Sequence, residues 1–337
     1  MPMVTQQYCL PDLFAICRRK CSVNPHYERA GAESSAWVIS QQLFPNKRRL
    51  AFVLGNNELL ASRAYPRADY DRLRTCLDFI NLLFVVDEIS DEQSGEDALK
   101  TGLIVIKTMQ DPSYADDSQV AKITREFRVR LLRHARPNFL RRFLKTWEDY
   151  AIAFAQEAEL RENGQVLDVQ AYTELRRENS GVRPCFHLIE YAAGSDIPDE
   201  VFANPTFEDL FLCALDMISW SNDLYSYNVE QSKGQDGNNI IRVLMEERNL
   251  SLQEACDYVG VYFQDLMDRF QSSRQKLPSW GVKTDKAVSD FLDGLENWVA
   301  TNLEWSFLTQ RYFGPSVAEV RQTRLVTLQP KVHGNSR

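Results

Sequence analysis

Residues 73–91 read LRTCLDFINLLFVVDEISD. Stepping by three or four along this stretch, Leu73, Leu77, Ile80, Phe84, Asp87 and Asp91 fall on one face of a helix. The face is apolar until its last two positions, where two carboxylates one turn apart take over. Such a pair makes a hard oxygen site suited to Mg2+, which accepts one or two carboxylates and keeps its other positions for water and phosphate. Acids at a helix C-terminus oppose the macrodipole, so the helix itself gains nothing from them. The bland alternative is a solvated helix end.

A second stretch has the same design. Residues 222–230 read NDLYSYNVE. Asn222, Ser226 and Glu230 step by four, placing amide, hydroxyl and carboxylate oxygens on one edge of one helix. Leu215, Ile218 and Ser219 lie upstream on that edge. Three hard donors on a rigid face can hold a further Mg2+. Two polar ends on two apolar faces predict metals at the mouth of a dry pocket.

Helical periodicity recurs along the rest of the chain, and alternating strand patterns are scarce. Leu252, Ala255, Val259, Phe263, Leu266 and Phe270 form another stripe, preceded by the capping-box pair Ser251 and Glu254. Asn204-Pro205 reads as an N-cap followed by proline at the first helical position, opening a helix toward Glu230. A last long helix is expected from about Lys286 to Phe313, stopped by Gly314-Pro315. Further helices are expected over 36–44, 47–61, 68–90, 95–109, 115–135, 137–160 and 167–177. Polar loops are expected at Ser90–Asp97 and Gln231–Asn239. No repeat and no linker divides the 337 residues. The expectation is an all-α bundle over 11–315, with a frayed N-terminus over 1–10 and a flexible tail over 316–337.

Composition narrows the function classes. Charged residues make up 26% and the net charge is −8, which disfavours a nucleic-acid partner. Seven cysteines, an odd number without a CxxC pair, read as buried thiols rather than a disulfide frame or zinc ribbon. The start, MPMVTQQYCLPDLF, lacks the pattern of a secretory signal. The apolar run Phe79–Val86 is far shorter than the roughly 20 residues of a membrane span. A cytoplasmic protein without a membrane partner is expected. His26, His134, His187 and His333 are scattered and read as structural.

Taken together, these motifs resemble the class I terpene synthases, most closely the fungal, basidiomycete-type sesquiterpene synthases. DEISD resembles that family's aspartate-rich motif, and NDLYSYNVE its N-D-x-x-S-x-x-x-E metal motif. Lys233, three past Glu230, matches a basic residue that often follows. Arg311-Tyr312 matches a late arginine–tyrosine pair. Arg176, in LRRENSG, sits where the family places its diphosphate-sensing arginine, with Asn179 as linker and Ser180 as effector before Gly181. Many relatives carry aspartate where Asn179 stands.

The resemblance implies an all-α fold with the site inside the bundle, three Mg2+ ions and an isoprenyl diphosphate substrate. It implies metal ligation by Asp87, Asp91, Asn222, Ser226 and Glu230, and diphosphate binding by Arg176, Lys233, Arg311 and Tyr312. Farnesyl diphosphate would be ionised and cyclised, by 1,11-closure toward skeletons such as protoilludene or viridiflorol, or by 1,10-closure. A homodimer would fit the family. The carbocation needs π-faces, each worth roughly 0.5–2 kcal/mol. Phe84, Trp298, Trp305 and Tyr312 are the candidates, the last three spaced by seven on the expected last helix. The bland reading of that stripe is core. Two rival readings are a trans-prenyltransferase, which would need isopentenyl diphosphate, and an inactive helical scaffold.

Overall fold

The structure, a computed structural model, describes residues 6–43, 52, 54–90 and 93–331. Its architecture is a helical bundle, as the periodicity predicts. In chain order a strand β1 (Gln7–Cys9) precedes α1 (Leu13–Ile16), α2 (Tyr27–Ser40), α3 (Asn57–Ala64), α4 (Tyr70–Ser90), α5 (Gly95–Gln110) and α6 (Gln119–Leu131). Then come α7 (Pro137–Glu162), α8 (Val169–Asn179), α9 (Val182–Ala193), α10 (Asp199–Phe202), α11 (Pro205–Lys233) and α12 (Ile240–Glu247). The chain continues through α13 (Leu252–Arg274), α14 (Val282–Ser306), α15 (Val317–Thr323) and strand β2 (Leu325–Thr327).

Local chemistry sets the helix starts. Ser94, Ser118, Asp168 and Ser251 each accept a backbone N–H three residues on. Ser251 and Glu254 form the reciprocal capping box. Asn204 accepts from the N–H groups of Thr206 and Phe207, and Pro205 opens α11. Helix α11 packs against α13 and α14. The α4 stripe is buried at Leu73, Leu77 and Ile80, and Phe79 packs on Trp147 of α7 with ring centroids 4.9 Å apart.

Several expectations need correction. The helix expected at 36–44 runs instead over Tyr27–Ser40. Most of the helix expected at 47–61 lies outside the described residues, and α3 begins at Asn57. Helix α9 was hidden because burial there runs through consecutive residues, Cys185, Phe186, His187, Leu188 and Ile189, and takes in the charged Glu190 as well, so polarity in the sequence does not mark the exposed side. The last long helix ends at Ser306, not Phe313. The N–H groups of Leu308 and Thr309 fold back to the Trp305 carbonyl, and the Thr309 hydroxyl then accepts from the Arg311 N–H. Arg311 and Tyr312 therefore stand on a turn. Tyr312 still meets Trp305 edge-on at 6.0 Å.

Of the terminal stretches where fraying was expected, the described residues 6–10 and 316–331 carry ordered elements, and the rest lie outside the described residues. Gln7–Cys9 pairs antiparallel with Leu325–Thr327. The Asn228 and Gln231 side chains donate to the carbonyls of Thr327 and Gln329, at 3.0 and 2.8 Å. The Gln329 N–H donates back to Asn228 at 2.8 Å. Each strand has three residues, too short to show alternation, and each is stabilised by partners distant in sequence.

Candidate active site

One cavity of about 930 Å³ opens among these helices. Helix α4 brings Phe84, Asp87 and Glu88 to it; α11 brings Ile218, Ser219, Asn222, Asp223, Ser226, Glu230 and Lys233. The end of α8 adds Arg176, Asn179 and Ser180, and α14 with the turn after it adds Trp298, Trp305, Arg311 and Tyr312. Every site residue named from the sequence lines this cavity except Asp91, which lies outside the described residues.

The α11 edge is wired before any ligand arrives. Arg176 donates through Nε to Asp223 Oδ1 at 3.0 Å and through Nη2 to Asn222 Oδ1 at 3.0 Å. The Asn222 amide nitrogen donates to the Tyr312 hydroxyl at 2.8 Å. Asp223 also accepts from the Tyr172 hydroxyl and from the Ile240 N–H, the latter at 3.1 Å. The Asn239 amide donates to Glu230 Oε2 and to the Asp223 carbonyl, each at 2.9 Å. Ser226 donates to the Asp223 carbonyl at 3.3 Å.

Burial and charge pull against each other here. Burial acts to lower the Arg176 pKa, but the fields of Asp223, Tyr172, Glu157 and Glu230 outweigh it and hold the guanidinium firmly charged. Burial raises the Asp223 carboxyl despite Arg176. Burial, with the Asp223 charge behind it, pushes the Glu230 carboxyl up to about 7. A carboxylate so disfavoured, beside an amide and a hydroxyl oxygen spaced by one turn each, suits a divalent cation. The donor set therefore fits Mg2+ on the α11 side, and Asp87 presents a carboxylate across the same cavity.

On the α4 side the helix end is braced. The Arg161 guanidinium donates to the Ser90 carbonyl at 3.2 Å, and the Ser90 hydroxyl to the Asp87 carbonyl at 2.9 Å. Arg311 lies 4.9 Å over the Phe84 ring and 3.5 Å from a Glu88 oxygen. Lys233 is exposed at the end of α11, where Gly234 turns the chain at φ +71°. The loop expected at Gln231–Asn239 is helical through Lys233, and a 3-10 turn covers Asp236–Asn238.

The aromatic candidates differ in their partners. Trp305 is anchored by its Nε1–H on the Gly55 and Asn56 carbonyls, at 3.1 and 3.0 Å, and stands 5.9 Å from Phe84. Trp298, two turns earlier on α14, is packed edge-on against Tyr65 at 5.6 Å. Tyr312 joins the polar end through Asn222. Sequence reasoning missed Tyr172, Asp223, Asn239, Glu157 and Arg161. Asp223 was visible as the second letter of its motif; Glu157 stands with Glu159 in the alanine-rich run AIAFAQEAEL, 151–160, and nothing in the spacing singles it out. Asn239 and Tyr172 act from other elements, and no spacing rule reaches them.

The family profile described as "Terpene synthase family 2, C-terminal metal binding" matches residues 78–269. Linoleate 10R-lipoxygenase COP4 of Coprinopsis cinerea is 46% identical, over 98% of this chain and 95% of its own length. Bifunctional terpene synthase Agr4 of Cyclocybe aegerita is 46% identical, over 98% and 96%. Delta(6)-protoilludene synthase of Stereum hirsutum is 35% identical, over 98% and 94%. The fold is similar to that of hedycaryol synthase, with a TM-score of 0.78 at 22% identity, covering 88% of this chain and 98% of that one. Helical bundle, oxygen donors of two helices lining one cavity, and these matches agree: the chain belongs to the class I terpene synthases, among the basidiomycete sesquiterpene synthases.

Proposed function

We propose that this protein ionises farnesyl diphosphate with the help of three Mg2+ ions and cyclises the resulting C15 cation, with release of diphosphate. One observation carries the reading. The Asp87 edge, the Asn222–Ser226–Glu230 edge and the cationic groups Arg176 and Arg311 line the same cavity as Phe84, Trp298 and Trp305. A polar mouth over an apolar depth suits a substrate with a charged head and a hydrocarbon tail. The lipoxygenase name of one relative belongs to that protein; oxygen donors and guanidinium groups match a diphosphate with its metal.

Asp87, Asn222, Ser226 and Glu230 would hold the metal, and Asp91, four positions after Asp87 in the sequence, is proposed to join them. Bound Mg2+ supplies neutralisation of charge developing on the leaving group. Arg176 and Arg311 offer forked donors to diphosphate oxygens. Tyr312, held by Asn222, adds a hydroxyl, and Lys233 a point charge. The segment 231–239, tied to Glu230 through Asn239, closes over the mouth and excludes water that would quench the cation. Phe84, Trp305 and Trp298 present rings along the depth, where each facing ring stabilises a cation by roughly 0.5–2 kcal/mol. Ring closure at carbon 11 has in its favour the relatives named delta(6)-protoilludene synthase, at 35% and 36% identity. A homodimer in the cytoplasm completes the reading; among the described residues no helix is long and apolar enough to cross a membrane.

The test is incubation with farnesyl diphosphate, with and without Mg2+, followed by gas chromatography–mass spectrometry. A cyclic C15 product only with Mg2+ is expected. Product formed only when isopentenyl diphosphate is added would make the protein a prenyltransferase, and no diphosphate release at all would leave the scaffold.

A further inference from the structure

Asn179 is the last residue of α8 and is 6% exposed. Its amide is polarised from both sides. Nδ2 donates to Glu157 Oε2 of α7 at 2.7 Å, and Oδ1 lies 3.5 Å from Arg176 Nη1 as acceptor. An amide has distinct donor and acceptor ends, so a carboxylate on the nitrogen side fixes which end faces the guanidinium. Asp223 engages the other edge of Arg176. The guanidinium is thus held between Asp223 and the Asn179–Glu157 pair. The residues that follow Asn179 have no slack: Gly181 takes φ +68°, and a Cβ placed there would sit 2.7 Å from Leu83 Cδ1 of α4. Asn179 thus stands directly before a break pressed against the helix that carries Asp87.

We propose that Glu157 is a positioning residue for Arg176, its carboxylate acting through the Asn179 amide to orient the guanidinium and the Ser180–Gly181 break. The inference rests on the reading of Arg176 as a diphosphate-binding group. It assigns to α7 a share in the site that its sequence pattern does not announce. It also gives the amide at 179 a physical reason. Its acid is supplied from a neighbouring helix, and a second carboxylate at 179 would repel the first.

Three variants test it: Glu157→Gln, Asn179→Asp and the double variant carrying both. Each is measured for kcat and KM with farnesyl diphosphate and Mg2+, for affinity toward inorganic diphosphate with Mg2+ by calorimetry, and for melting temperature. Glu157→Gln is expected to lower kcat and diphosphate affinity about tenfold, the scale of one charge-assisted contact. Asn179→Asp alone sets two carboxylates face to face and falls by a similar factor. The double variant again has one acid in the relay, now next to Arg176, and is expected to recover to within about threefold of wild type. A purely structural tie between α7 and α8 would lower the melting temperature of Glu157→Gln and leave kcat and diphosphate affinity alone, which overturns the proposal; so does a double variant no better than the worse single. The calorimetry separates the two readings. Wild-type protein that binds diphosphate without turning over farnesyl diphosphate refutes the cyclase and leaves the relay to be judged on binding. Wild-type protein that binds no diphosphate refutes both.

Discussion

The two edges proposed to hold metal are built differently. Asp87 sits in the last turn of α4, half-buried, where the helix ends and Arg161 braces its final carbonyl. Asn222, Ser226 and Glu230 sit within α11, and their neighbours Asp223, Asn239, Tyr172, Arg176 and Tyr312 hold one another in a continuous hydrogen-bonded group. One edge offers charge at a helix end at little cost to packing. The other embeds its donors in the core and uses them for architecture too. The difference teaches where catalysis and stability part: a substitution on the first edge is expected to strike turnover alone, and one on the second to strike both.

Asp87→Ala is the sharpest test of that contrast. Turnover is expected to fall by on the order of 10³-fold or below detection, with an unchanged melting temperature. Calorimetric melting alongside the product assay checks it, and normal activity would remove Asp87 from the metal set. Asp223→Asn probes the other edge. It keeps the shape but takes the charge that pairs with Arg176 and accepts from Tyr172. A stability loss of about 1–3 kcal/mol is expected together with reduced kcat; loss of activity at wild-type stability would mean the edges do not differ as described.

Trp305→Ala reaches the apolar depth between them. Removing a buried indole costs about 3–5 kcal/mol, and the altered contour is expected to change the product mixture. An unchanged mixture would take Trp305 out of the pocket wall. The smallest effect belongs to Asn228→Ala, which removes the bonds from α11 to Thr327 and Gln329 and leaves the Gln231 tie to the 325–331 segment in place. About 1 kcal/mol per lost hydrogen bond is expected, with the product mixture preserved; a changed mixture would extend the site to the chain's C-terminal segment.

What could be read from the sequence follows from which interactions are local. The α4 and α11 stripes were legible because helical periodicity places apolar and polar positions within one turn of each other. The caps at Ser251 and Asn204 were legible for the same reason. The end of α14 at Ser306 was not, because the Thr309 hydroxyl turns the chain where periodicity runs on through Trp305 and Tyr312. Helix α9 was not, because His187 and Glu190 are buried along with its apolar residues, so polar positions do not mark its outer side. The β1–β2 pair joins residues some 320 apart, as in Gln7 with Thr327, and no spacing rule predicts such a partner. Within the site, the ligand-type residues were legible by motif. The groups that orient them, Asp223, Asn239, Tyr172 and Glu157, become visible only once α8 and α12 are packed on α11 and α7 on α8.

The central claim is that the two edges act on one diphosphate. Its most direct measurement is diphosphate release from farnesyl diphosphate across a Mg2+ titration, for wild type, Asp87→Ala and Glu230→Gln side by side. Release is expected to need Mg2+ in the wild type and to collapse in both variants, because each removes one jaw of the same clamp. Release that persists without Mg2+, or that survives in either variant at the wild-type rate, would contradict it.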